Sequence, residues 1–362
     1  MKIKNKKVLL GMSGGVDSSV AALFLKNKGY EVIGYFMKNF SDSKNKITGE
    51  CSYVEDKRSA VKICSLLKIA LIIDDKEREY KKKVIDKVFS YYSRNLTPNP
   101  DADCNKEIKF PSLIKKADEI GAYYVATGHY ARIVEGKEEF ELHRAKDESK
   151  DQSYFLWGLK ENQLKRILFP IWDLEKEEVR SIASKNKFPN WDRRSSRGIC
   201  FVGKVNLKDF LSGKIKEKKG KVVNSKGELI GFHSGSNYLT IGQRIGEKIG
   251  VEIFKEFNSE KMYVAEKRTG SVIVAVGKDS PLLRKRRIKL VKINFINKNF
   301  KLPDCGLKCR IRHLGELYSG HLVKIKGRLY FISKKSIEAV AEGQSIVVYE
   351  GKRVVCGAEI RY

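Results

Sequence analysis

Short apolar runs alternate with stretches of helical periodicity over the first half of the chain. Apolar strands are predicted at residues 8–10, 31–37, 69–73 and 122–127, and amphipathic helices at 20–28, 53–67, 76–94 and 111–120. Strands that alternate with helices build a parallel sheet with right-handed crossovers. The pattern therefore predicts an α/β amino-terminal domain whose ligand lies beyond the carboxyl ends of the strands.

The following elements are shorter. Residues 132–135 and 140–144 are expected to pair as a hairpin, and residues 161–167 and 175–185 to form helices. A Lys/Gly run over 211–220 is interpreted as a linker, and the segments beyond it are short, β-rich and interrupted by glycine. Their spacing of about ten residues predicts two small β-rich domains, the last a barrel or sandwich. The predicted domains are 1–212, 213–280 and 281–362.

Length and hydropathy add little to this picture. A chain of 362 residues can hold two or three domains with their own cores. It has no run of about 18 apolar residues, which a membrane span needs. The lysine-rich amino terminus lacks the apolar segment of a signal peptide, so a cytoplasmic protein is expected. We also expect a monomer.

Charge and cysteine content bear on partners. Its 73 basic and 44 acidic residues give a formal net charge of +29. Such a charge suggests a polyanionic partner such as nucleic acid. The excess of Lys over Arg is also what an AT-rich genome produces, so both explanations stay open. The seven cysteines are an odd number, which argues against a disulfide framework.

A glycine-rich turn joins the first strand to the first helix. It reads Gly11-Met12-Ser13-Gly14-Gly15-Val16-Asp17-Ser18-Ser19. A turn of this kind points free backbone N–H groups and the positive end of a helix dipole at one spot, which phosphate usually occupies. The run has neither the Lys-Ser/Thr ending of a Walker A loop nor the G-x-G-x-x-G of dinucleotide folds. It resembles the Ser-Gly-Gly-x-Asp-Ser loop of the ATP pyrophosphatases, which split ATP between the α and β phosphates.

Two cysteines stand in chemically distinctive surroundings. Pro98 and Pro100 prevent a helix before Asp101, so a helix capped by Asp101 or Asp103 is predicted to begin near Cys104. A thiol at a helix amino terminus is acidified and nucleophilic. An ordinary cysteine after a rigid turn explains the same pattern equally well.

Cys200 follows a stretch that contains three arginines, two serines and a glycine, over residues 193–198. The positive charge of this stretch favours the thiolate form of Cys200. The composition is that of a mobile loop.

Other candidates lie at strand ends or in the final domain. Met37 ends the second predicted strand and could line an adenine pocket, while Gly128 and His129 follow the fourth strand at the same rim. Cys305 and Cys309 with His313 suggest zinc, but the spacing is wide, a fourth ligand is missing, and strand alternation explains Cys309 as core. No metal ligand set is predicted with certainty.

Several motifs together resemble the tRNA-specific 2-thiouridylases, nearly from end to end. Besides the loop, they are Met37-Lys38-Asn39, Thr97-Pro98-Asn99-Pro100, Cys104-Asn105-Lys106-Glu107-Ile108-Lys109-Phe110, Ala126-Thr127-Gly128-His129-Tyr130, Lys150-Asp151-Gln152-Ser153-Tyr154-Phe155-Leu156, Gly198-Ile199-Cys200-Phe201 and Gly242-Gln243-Arg244. The loop is common to all ATP pyrophosphatases, whereas the two cysteine motifs are far more specific.

The resemblance implies an adenine nucleotide alpha hydrolase-like catalytic domain, a central β-rich domain and a tRNA-contacting β-barrel. It implies that ATP, accompanied by Mg²⁺, adenylates O2 of the tRNA wobble uridine, and that sulfur from a persulfide then replaces this oxygen. The sulfur would come from a relay protein or a cysteine desulfurase. The implied site residues are Gly11, Met12, Ser13, Gly14, Gly15, Val16, Asp17, Ser18, Met37 and Gly128 for ATP, Cys200 for the persulfide, Cys104 as partner nucleophile, Asp101 as candidate proton acceptor, and Asn99, Pro100, Asp101, His129, Lys150, Asp151, Gln152, Arg312, His313 and Gln344 for tRNA.

The chain departs from the family pattern at three places. Arg312-His313-Leu314-Gly315 stands where the family has Arg-Tyr-Arg-Gln, Ile245-Gly246 stands where it has Lys-Gly, and the loop after Asn39 is shorter and less acidic. None of these changes affects the phosphate loop or the two key cysteines.

Three other functions compete with this one. An ATP pyrophosphatase acting on a small molecule would not need the cysteine pair. An RNA-binding protein without catalysis would not need Ser13, Asp17, Cys104 and Cys200. A 4-thiouridine enzyme usually carries an extra RNA-binding domain ahead of the loop, and a 2-thiocytidine enzyme typically holds an iron–sulfur cluster on Cys-x-x-Cys.

Overall fold

The computed structural model describes residues 7–40, 52–136, 139–193, 207–216, 218–257, 260–268, 271–297, 300 and 306–362. Its helices are α1 Val16–Asn27, α2 Ser52–Leu67, α3 Glu77–Tyr80, α4 Asp86–Ser93, α5 Pro100–Cys104, α6 Phe110–Glu119, α7 Glu161–Leu164, α8 Lys176–Lys185 and α9 Leu207–Ser212. Its strands are β1 Lys7–Gly11, β2 Glu31–Lys38, β3 Ala70–Asp75, β4 Tyr124–Ala126, β5 Ala131–Glu135, β6 Phe140–Arg144, β7 Ile167–Leu168, β8 Gly220–Val223, β9 Leu229–His233, β10 Val251–Ile253, β11 Met262–Arg268, β12 Val272–Gly277, β13 Arg284–Phe295, β14 Leu307–Arg310, β15 Tyr318–Ile325, β16 Arg328–Glu338, β17 Ser345–Glu350 and β18 Arg353–Arg361.

The amino-terminal domain is a five-stranded parallel sheet in the order β3-β2-β1-β4-β7. Its α/β character and its first four strands are confirmed. The helix predicted over residues 161–167 is wrong in its second half, because α7 ends at Leu164 and Ile167 pairs with Val125 as the edge strand β7. Two residues of strand carry too little periodicity to be distinguished from a helix end.

One long helix of the prediction is interrupted. Between α3 and α4 the chain winds as a π-helix over Lys81–Ile85 without leaving the helical path. A second π-helix, Asn105–Lys109, joins α5 to α6. Wider π turns often occur at functional sites, and here the second one begins directly after Cys104.

The central region contains a mixed five-stranded sheet in the order β10-β9-β8-β12-β11. The predicted linker over residues 211–220 is not a free connection, because Leu211 and Ile215 are buried against Tyr80 and Tyr92 of the amino-terminal domain. These two apolar side chains recur one helical turn apart, a signal that the surrounding lysines and glycines concealed.

The carboxyl-terminal strands close into a six-stranded barrel. The order is β13-β16-β15-β14-β17-β18, and β18 pairs back with β13. The predicted hairpin of β5 and β6 is present, but it extends the barrel sheet, since Arg353 pairs with His143. The barrel is thereby attached to the amino-terminal domain. Among the residues described, no helix is both long and apolar enough to cross a bilayer.

Candidate active site and its barrel-side wall

The glycine-rich turn over residues 11–19, which we call the predicted phosphate loop, follows β1 and ends at the amino terminus of α1. Gly15 occupies the N-cap position and provides no side-chain cap, so the first N–H groups of α1 are open to a ligand. Ser18 Oγ donates to the Gly15 carbonyl at 2.9 Å and lies 3.3 Å from Ser13 Oγ. Ser13 is exposed, whereas Ser18 is buried. The helix terminus and the serine hydroxyls together form a cradle of donors, an arrangement that suits an anion.

Glycine is required at two positions of this cradle. A Cβ on Gly14, whose φ is +77°, would stand 2.2 Å from the backbone oxygen of Asp56. A Cβ on Gly128 would lie 2.7 Å from the backbone of Asp17 and Ser18. The loop after β4 therefore packs directly on the start of α1. The expected contact of Gly128 with ATP stays a prediction.

A buried clamp holds Asp17. Tyr130 donates its hydroxyl proton to Asp17 Oδ1 at 2.9 Å, and the Lys176 ammonium lies 2.5 Å from the same oxygen. Both donors use Oδ1, and no hydrogen bond of the described residues is recorded for Oδ2, which belongs to a partly exposed side chain. Asp17 thus presents one oriented carboxylate oxygen. Sequence reasoning missed Lys176 because it begins an ordinary amphipathic helix far along the chain.

The outer side of the loop is also braced. Asn190 donates to the Gly14 carbonyl at 2.9 Å and to Ser19 at 3.0 Å, and Ser59 donates to the same carbonyl at 2.7 Å. Arg193 pairs with Asp56 at 2.6 Å. A cleft of about 370 Å³ lies beside these residues. Its lining includes Arg58, Lys62 and Arg193 together with the acidic Glu55 and Asp192.

The end of β2 forms the neighbouring wall. Met37 is half-buried there, opposite Asp74 of β3. Asn39 follows, and its Oδ1 is buried without a hydrogen-bond partner among the described residues. A buried acceptor with no partner is costly, and an amino group of a ligand would satisfy it. The predicted adenine-side position of Met37 is compatible with this geometry.

Cys104 lies at the end of α5, not at its start. The predicted helix start near Cys104 is wrong: α5 begins at Pro100, and Asn99 caps it by accepting from the Ala102 N–H at 3.3 Å. Proline is well tolerated in the first turn of a helix, where no N–H is needed. The helix therefore starts one residue earlier than the two-proline argument allowed.

The thiol of Cys104 is enclosed. Its side chain packs in a cluster with Tyr80, Ile108, Leu211 and Tyr238. Burial raises the pKa of the Cys104 thiol, and the positive charge of Lys109 opposes that rise without cancelling it. The prediction that Cys104 has a lowered thiol pKa at a helix amino terminus is therefore wrong for this conformation. Cys200 lies outside the described residues.

The segment before α5 is docked on the barrel. Asn99 donates its side-chain amide to Ser345 Oγ at 3.0 Å, and Gln344 donates to the Pro98 carbonyl at 2.9 Å. The indole N–H of Trp157 also donates to Ser345 Oγ, at 3.0 Å. Asn99 and Gln344, which the sequence placed about 245 residues apart as tRNA contacts, thus belong to one junction.

His129 is a neutral, buried ring at this rim. Thr127 Oγ1 lies 2.5 Å from its Nδ1, and Lys109 Nζ lies 3.4 Å from its Nε2. Because the ammonium can only donate, Nε2 accepts and the ring proton resides on Nδ1. Burial and the Lys109 charge keep the His129 pKa well below its ordinary value. Its contact with tRNA stays a prediction, since the ring is covered in this conformation.

The three residues after β6 that were predicted to contact tRNA, Lys150, Asp151 and Gln152, differ in how deeply they are buried. Asp151 is fully buried and pairs with Arg310 at 2.8 Å and with Arg144 at 3.4 Å. It thereby joins the β6 end to the barrel. Gln152 accepts from the Tyr130 N–H at 3.0 Å, and Lys150 is half-buried. In this conformation Asp151 ties the two domains together rather than facing a partner.

The last predicted contacts lie on the loop after β14. Arg312 is exposed, lines a cavity of about 310 Å³ between the central sheet and the barrel, and donates to the Glu338 and Ala339 carbonyls at 3.2 and 3.3 Å. His313 stacks on Phe155 with the ring centroids 4.4 Å apart. Cys309 is buried in the barrel core, where strand alternation put it, and Cys305 lies outside the described residues.

Comparison with known proteins covers the whole chain. Three family models match it: a tRNA methyl transferase HUP domain over residues 6–204, a tRNA methyl transferase PRC-barrel domain over 208–278, and an aminomethyltransferase beta-barrel domain over 285–360. The tRNA-specific 2-thiouridylase MnmA of Halalkalibacterium halodurans is 38% identical over 358 residues, which cover 98% of this chain and 94% of that protein. The chain belongs to the tRNA-specific 2-thiouridylase family.

Other 2-thiouridylases are similar to the same extent. The MnmA proteins of Bacillus subtilis and Blochmanniella floridana are 36% and 40% identical, and each alignment covers at least 98% of this chain and 95% of the relative. A solved 4-thiouridine synthetase–RNA complex with bound ATP is 20% identical over 55% of this chain and 46% of that chain, with a TM-score of 0.35. That score is too low for a comparison of the two folds. The domain boundaries after residues 212 and 280 stay predictions.

Proposed function

We propose that this 2-thiouridylase family member catalyses ATP-dependent 2-thiolation of the wobble uridine in tRNA. The observation that carries the proposal is similarity over the full length to proteins named for this activity, with Cys104 adjoining the barrel-docked segment that contains Asn99. We expect the reaction to take place in the cytoplasm, with a monomeric enzyme and a sulfur-relay protein or cysteine desulfurase as donor.

The phosphate loop supports the first half of the reaction. The uncapped amino terminus of α1 and the unpartnered Asn39 oxygen fit a nucleoside triphosphate. Uridine O2 attacks the α-phosphorus of ATP, and pyrophosphate leaves. The residues from Gly11 to Ser18 would hold the phosphates, with Met37 beside the adenine.

A magnesium ion suits the same cradle. The free Oδ2 of Asp17 is a hard oxygen ligand of the kind that Mg²⁺ prefers. Mg²⁺ supplies charge neutralisation of the phosphates when it is bound. Lys176 and Tyr130 hold the carboxylate in one orientation, so the chain itself contributes a preorganised ligand.

The second half needs the cysteines. Adenylation converts O2 into a leaving group, and the terminal sulfur of a Cys200 persulfide attacks C2 while AMP departs. Cys104, the partner nucleophile, then attacks Sγ of Cys200, which breaks the bond to the transferred sulfur, leaves that sulfur on C2 and forms a Cys104–Cys200 disulfide. A free thiol, such as the cysteine supplied in the assay, reduces this disulfide, and Asp101 is the candidate proton acceptor. A uridine in a stacked anticodon must be flipped out to reach these groups. Asn99 and Pro100 would contact the flipped base.

The test is a reconstituted reaction. Purified protein is incubated with ATP, Mg²⁺, cysteine, a cysteine desulfurase and a tRNA transcript that carries uridine at the wobble position. We expect pyrophosphate release and 2-thiouridine in the digested tRNA by mass spectrometry. A matched transcript with cytidine at the wobble position should give neither product. Absence of 2-thiouridine with the uridine transcript, while the protein is folded and binds ATP, would refute the proposal.

Two variants separate the halves of the reaction. Cys200→Ser should retain pyrophosphate release and lose 2-thiouridine, since only the sulfur carrier is missing. The same result is expected for Cys104→Ser. Full 2-thiouridine formation by both variants would refute the roles assigned to the two cysteines.

A further inference from the structure

Four cations surround one buried tyrosine where the amino-terminal domain meets the barrel. Tyr91 of α4 is almost fully buried, and its ring has Lys87, Arg94, Lys292 and Arg361 within 6 Å of its centroid, at 5.3, 5.2, 5.2 and 5.9 Å. Lys87 lies on α4, Arg94 directly follows that helix, and Lys292 and Arg361 come from the barrel strands β13 and β18. We call these four side chains the Tyr91 cluster.

Carboxylates neutralise only part of the cluster. Glu359 lies 2.5 Å from Arg361 and 3.0 Å from Lys292, and Asp103 lies 2.5 Å from Lys87. No ion pair within the described residues is recorded for Arg94, which instead donates to the Ser90 carbonyl and hydroxyl. Four positive and two negative charges leave a surplus of two, in a space where like charges repel.

The exposed members face outward. Lys292 keeps 55% of its side chain in solvent, and Arg94 is exposed, whereas Glu359 is buried and held by Tyr91, whose hydroxyl donates to it at 2.5 Å. Tyr91 and Glu359 are therefore buried and hydrogen-bonded to each other, while Arg94 and Lys292 beside them are exposed at the surface. An arrangement of this kind suits a dianionic or polyanionic ligand better than a solvated surface charge does.

The cluster adjoins the proposed reaction site. Asp103, which fixes Lys87, immediately precedes Cys104. Ser345, which accepts from Asn99, pairs directly with Glu359 across strands β17 and β18. Residues paired in this way lie on the same face of a sheet. The cluster therefore contacts Asp103 directly at one end of the Asn99–Cys104 stretch and is linked to Asn99 at the other end through Glu359 and Ser345.

A second group of cations continues along β13. Lys285 lies 5.0 Å from the centroid of the Tyr362 ring, and Lys289 donates to the Tyr362 carbonyl at 3.1 Å. Tyr362 follows Arg361 directly. Basic side chains thus extend from the barrel strand to α4, as expected for a surface that follows a phosphodiester backbone.

We propose that the Tyr91 cluster binds RNA backbone phosphates next to the nucleotide that enters the site. This inference rests on the proposed action on tRNA, which it deepens by naming a surface where the polynucleotide is held. Arg94 and Lys292 would make the direct phosphate contacts, and Glu359 and Asp103 would hold Arg361 and Lys87 in place.

The experiment measures binding of the wobble-uridine tRNA transcript as a function of salt. Arg94→Gln combined with Lys292→Gln should weaken binding about 10-fold and lower the slope of log K against log salt by roughly one to two, because each phosphate contact contributes about 0.7 to 0.9 to that slope. The matched control is Lys28→Gln combined with Lys115→Gln, two exposed lysines that follow α1 and lie on α6. The control should keep the wild-type slope.

A purely structural role for the cluster predicts a different result. In that case the Arg94/Lys292 variant would lower the unfolding temperature and leave the salt slope equal to that of the control, which would overturn the inference. Arg94 and Lys292 are exposed, so their double variant is expected to fold and its salt slope tests the inference directly.

The outcome also separates this inference from the proposed function. If the wild type forms 2-thiouridine and the Arg94/Lys292 variant has an unchanged slope, only the phosphate surface is wrong. If the wild type binds tRNA through the cluster and forms no 2-thiouridine, the surface stands and the proposed thiolation is wrong.

Discussion

The phosphate loop and the surroundings of Cys104 are built in opposite ways. The loop is open, with an uncapped helix amino terminus, an exposed Ser13 and an Asp17 oxygen without a recorded partner among the described residues. Cys104 is enclosed by Tyr80, Leu211 and Tyr238, and its thiol pKa is raised by burial. One half of the site is ready for its ligand, whereas the other is closed.

This contrast indicates which half of the proposed reaction needs a conformational change. A preorganised cradle can bind and polarise ATP without rearrangement. A buried thiol is a poor nucleophile, since the thiolate is the reactive form and burial disfavours it. The sulfur-transfer half therefore requires an opening around Cys104 that the adenylation half does not. Four experiments test this contrast between the two regions.

The largest effect is expected at Gly128. A Cβ there would meet the Asp17 and Ser18 backbone at 2.7 Å, and backbone cannot rotate away as a side chain can. Gly128→Ala should displace the loop and reduce pyrophosphate release about 100-fold, the scale of a misplacement of about 1 Å. Gly246→Ala is the control, because a Cβ there meets nothing within 4 Å. An active Gly128→Ala variant would show that the loop is not rigidly preorganised.

Thiol accessibility gives the next effect. Iodoacetamide should alkylate Cys104 at least about 10-fold more slowly than an exposed thiol, and the tRNA transcript should remove much of that protection. Cys64 is the internal control, because it is buried in a different cluster and its thiol pKa is raised to about 11. Peptide mass spectrometry separates the two sites. Fast alkylation of Cys104 in the free protein would contradict the closed state.

The Asp17 clamp should matter less than the glycine. Lys176→Met removes the cation 2.5 Å from Asp17 Oδ1 and should weaken Mg²⁺-dependent ATP binding roughly 10-fold, since a hydrogen bond to a charged group is worth about 1.5–3 kcal/mol. Lys176→Arg should restore most of the affinity. Tyr130→Phe removes the second donor alone and should have a smaller effect. Titration of Mg²⁺ at fixed ATP shows whether the metal-dependent part is lost.

The smallest effect concerns His129, which lies between the two regions. Its native pKa is held well below the ordinary 6.5, so the unfolded chain binds a proton that the buried ring refuses. The free energy of unfolding should fall as pH decreases below about 6.5, by at most about 1.4 kcal/mol per pH unit from this group.

Urea unfolding at a series of pH values measures the His129 contribution. His129→Gln should have a shallower pH slope than the wild type, although His233 and His313, whose pKa values burial also lowers, leave part of it. His321→Gln, at an exposed barrel position, should keep the wild-type slope. An equal slope in the His129 variant would show that the ring is protonated or solvated in the native state.

The local sequence pattern predicted most helices and strands correctly, and it failed for strand β7, where contacts between distant residues determine the structure. Helix α8 follows from its own periodicity, and so does strand β2. Strand β7 was missed because its two residues become a strand only beside Val125. The start of α5 was misplaced for a local reason, because the prediction excluded a helix before Asp101 although Asn99 caps it and Pro100 is tolerated in its first turn. The attachment of Asn99 to Ser345 of the barrel joins residues far apart in the chain and has no signal in a linear pattern.

Residue types and short-range spacing were enough to predict the glycine-rich turn after β1, the order of the α/β and β-rich regions and the two cysteine motifs. Only the tertiary structure shows that Lys176 pairs with Asp17, that four cations lie around Tyr91 and that the Cys104 thiol is enclosed. Each of these depends on contacts between residues far apart in the chain. Burial and electrostatic environment, which set the reactivity of a thiol or a carboxylate, arise only when those residues are brought together.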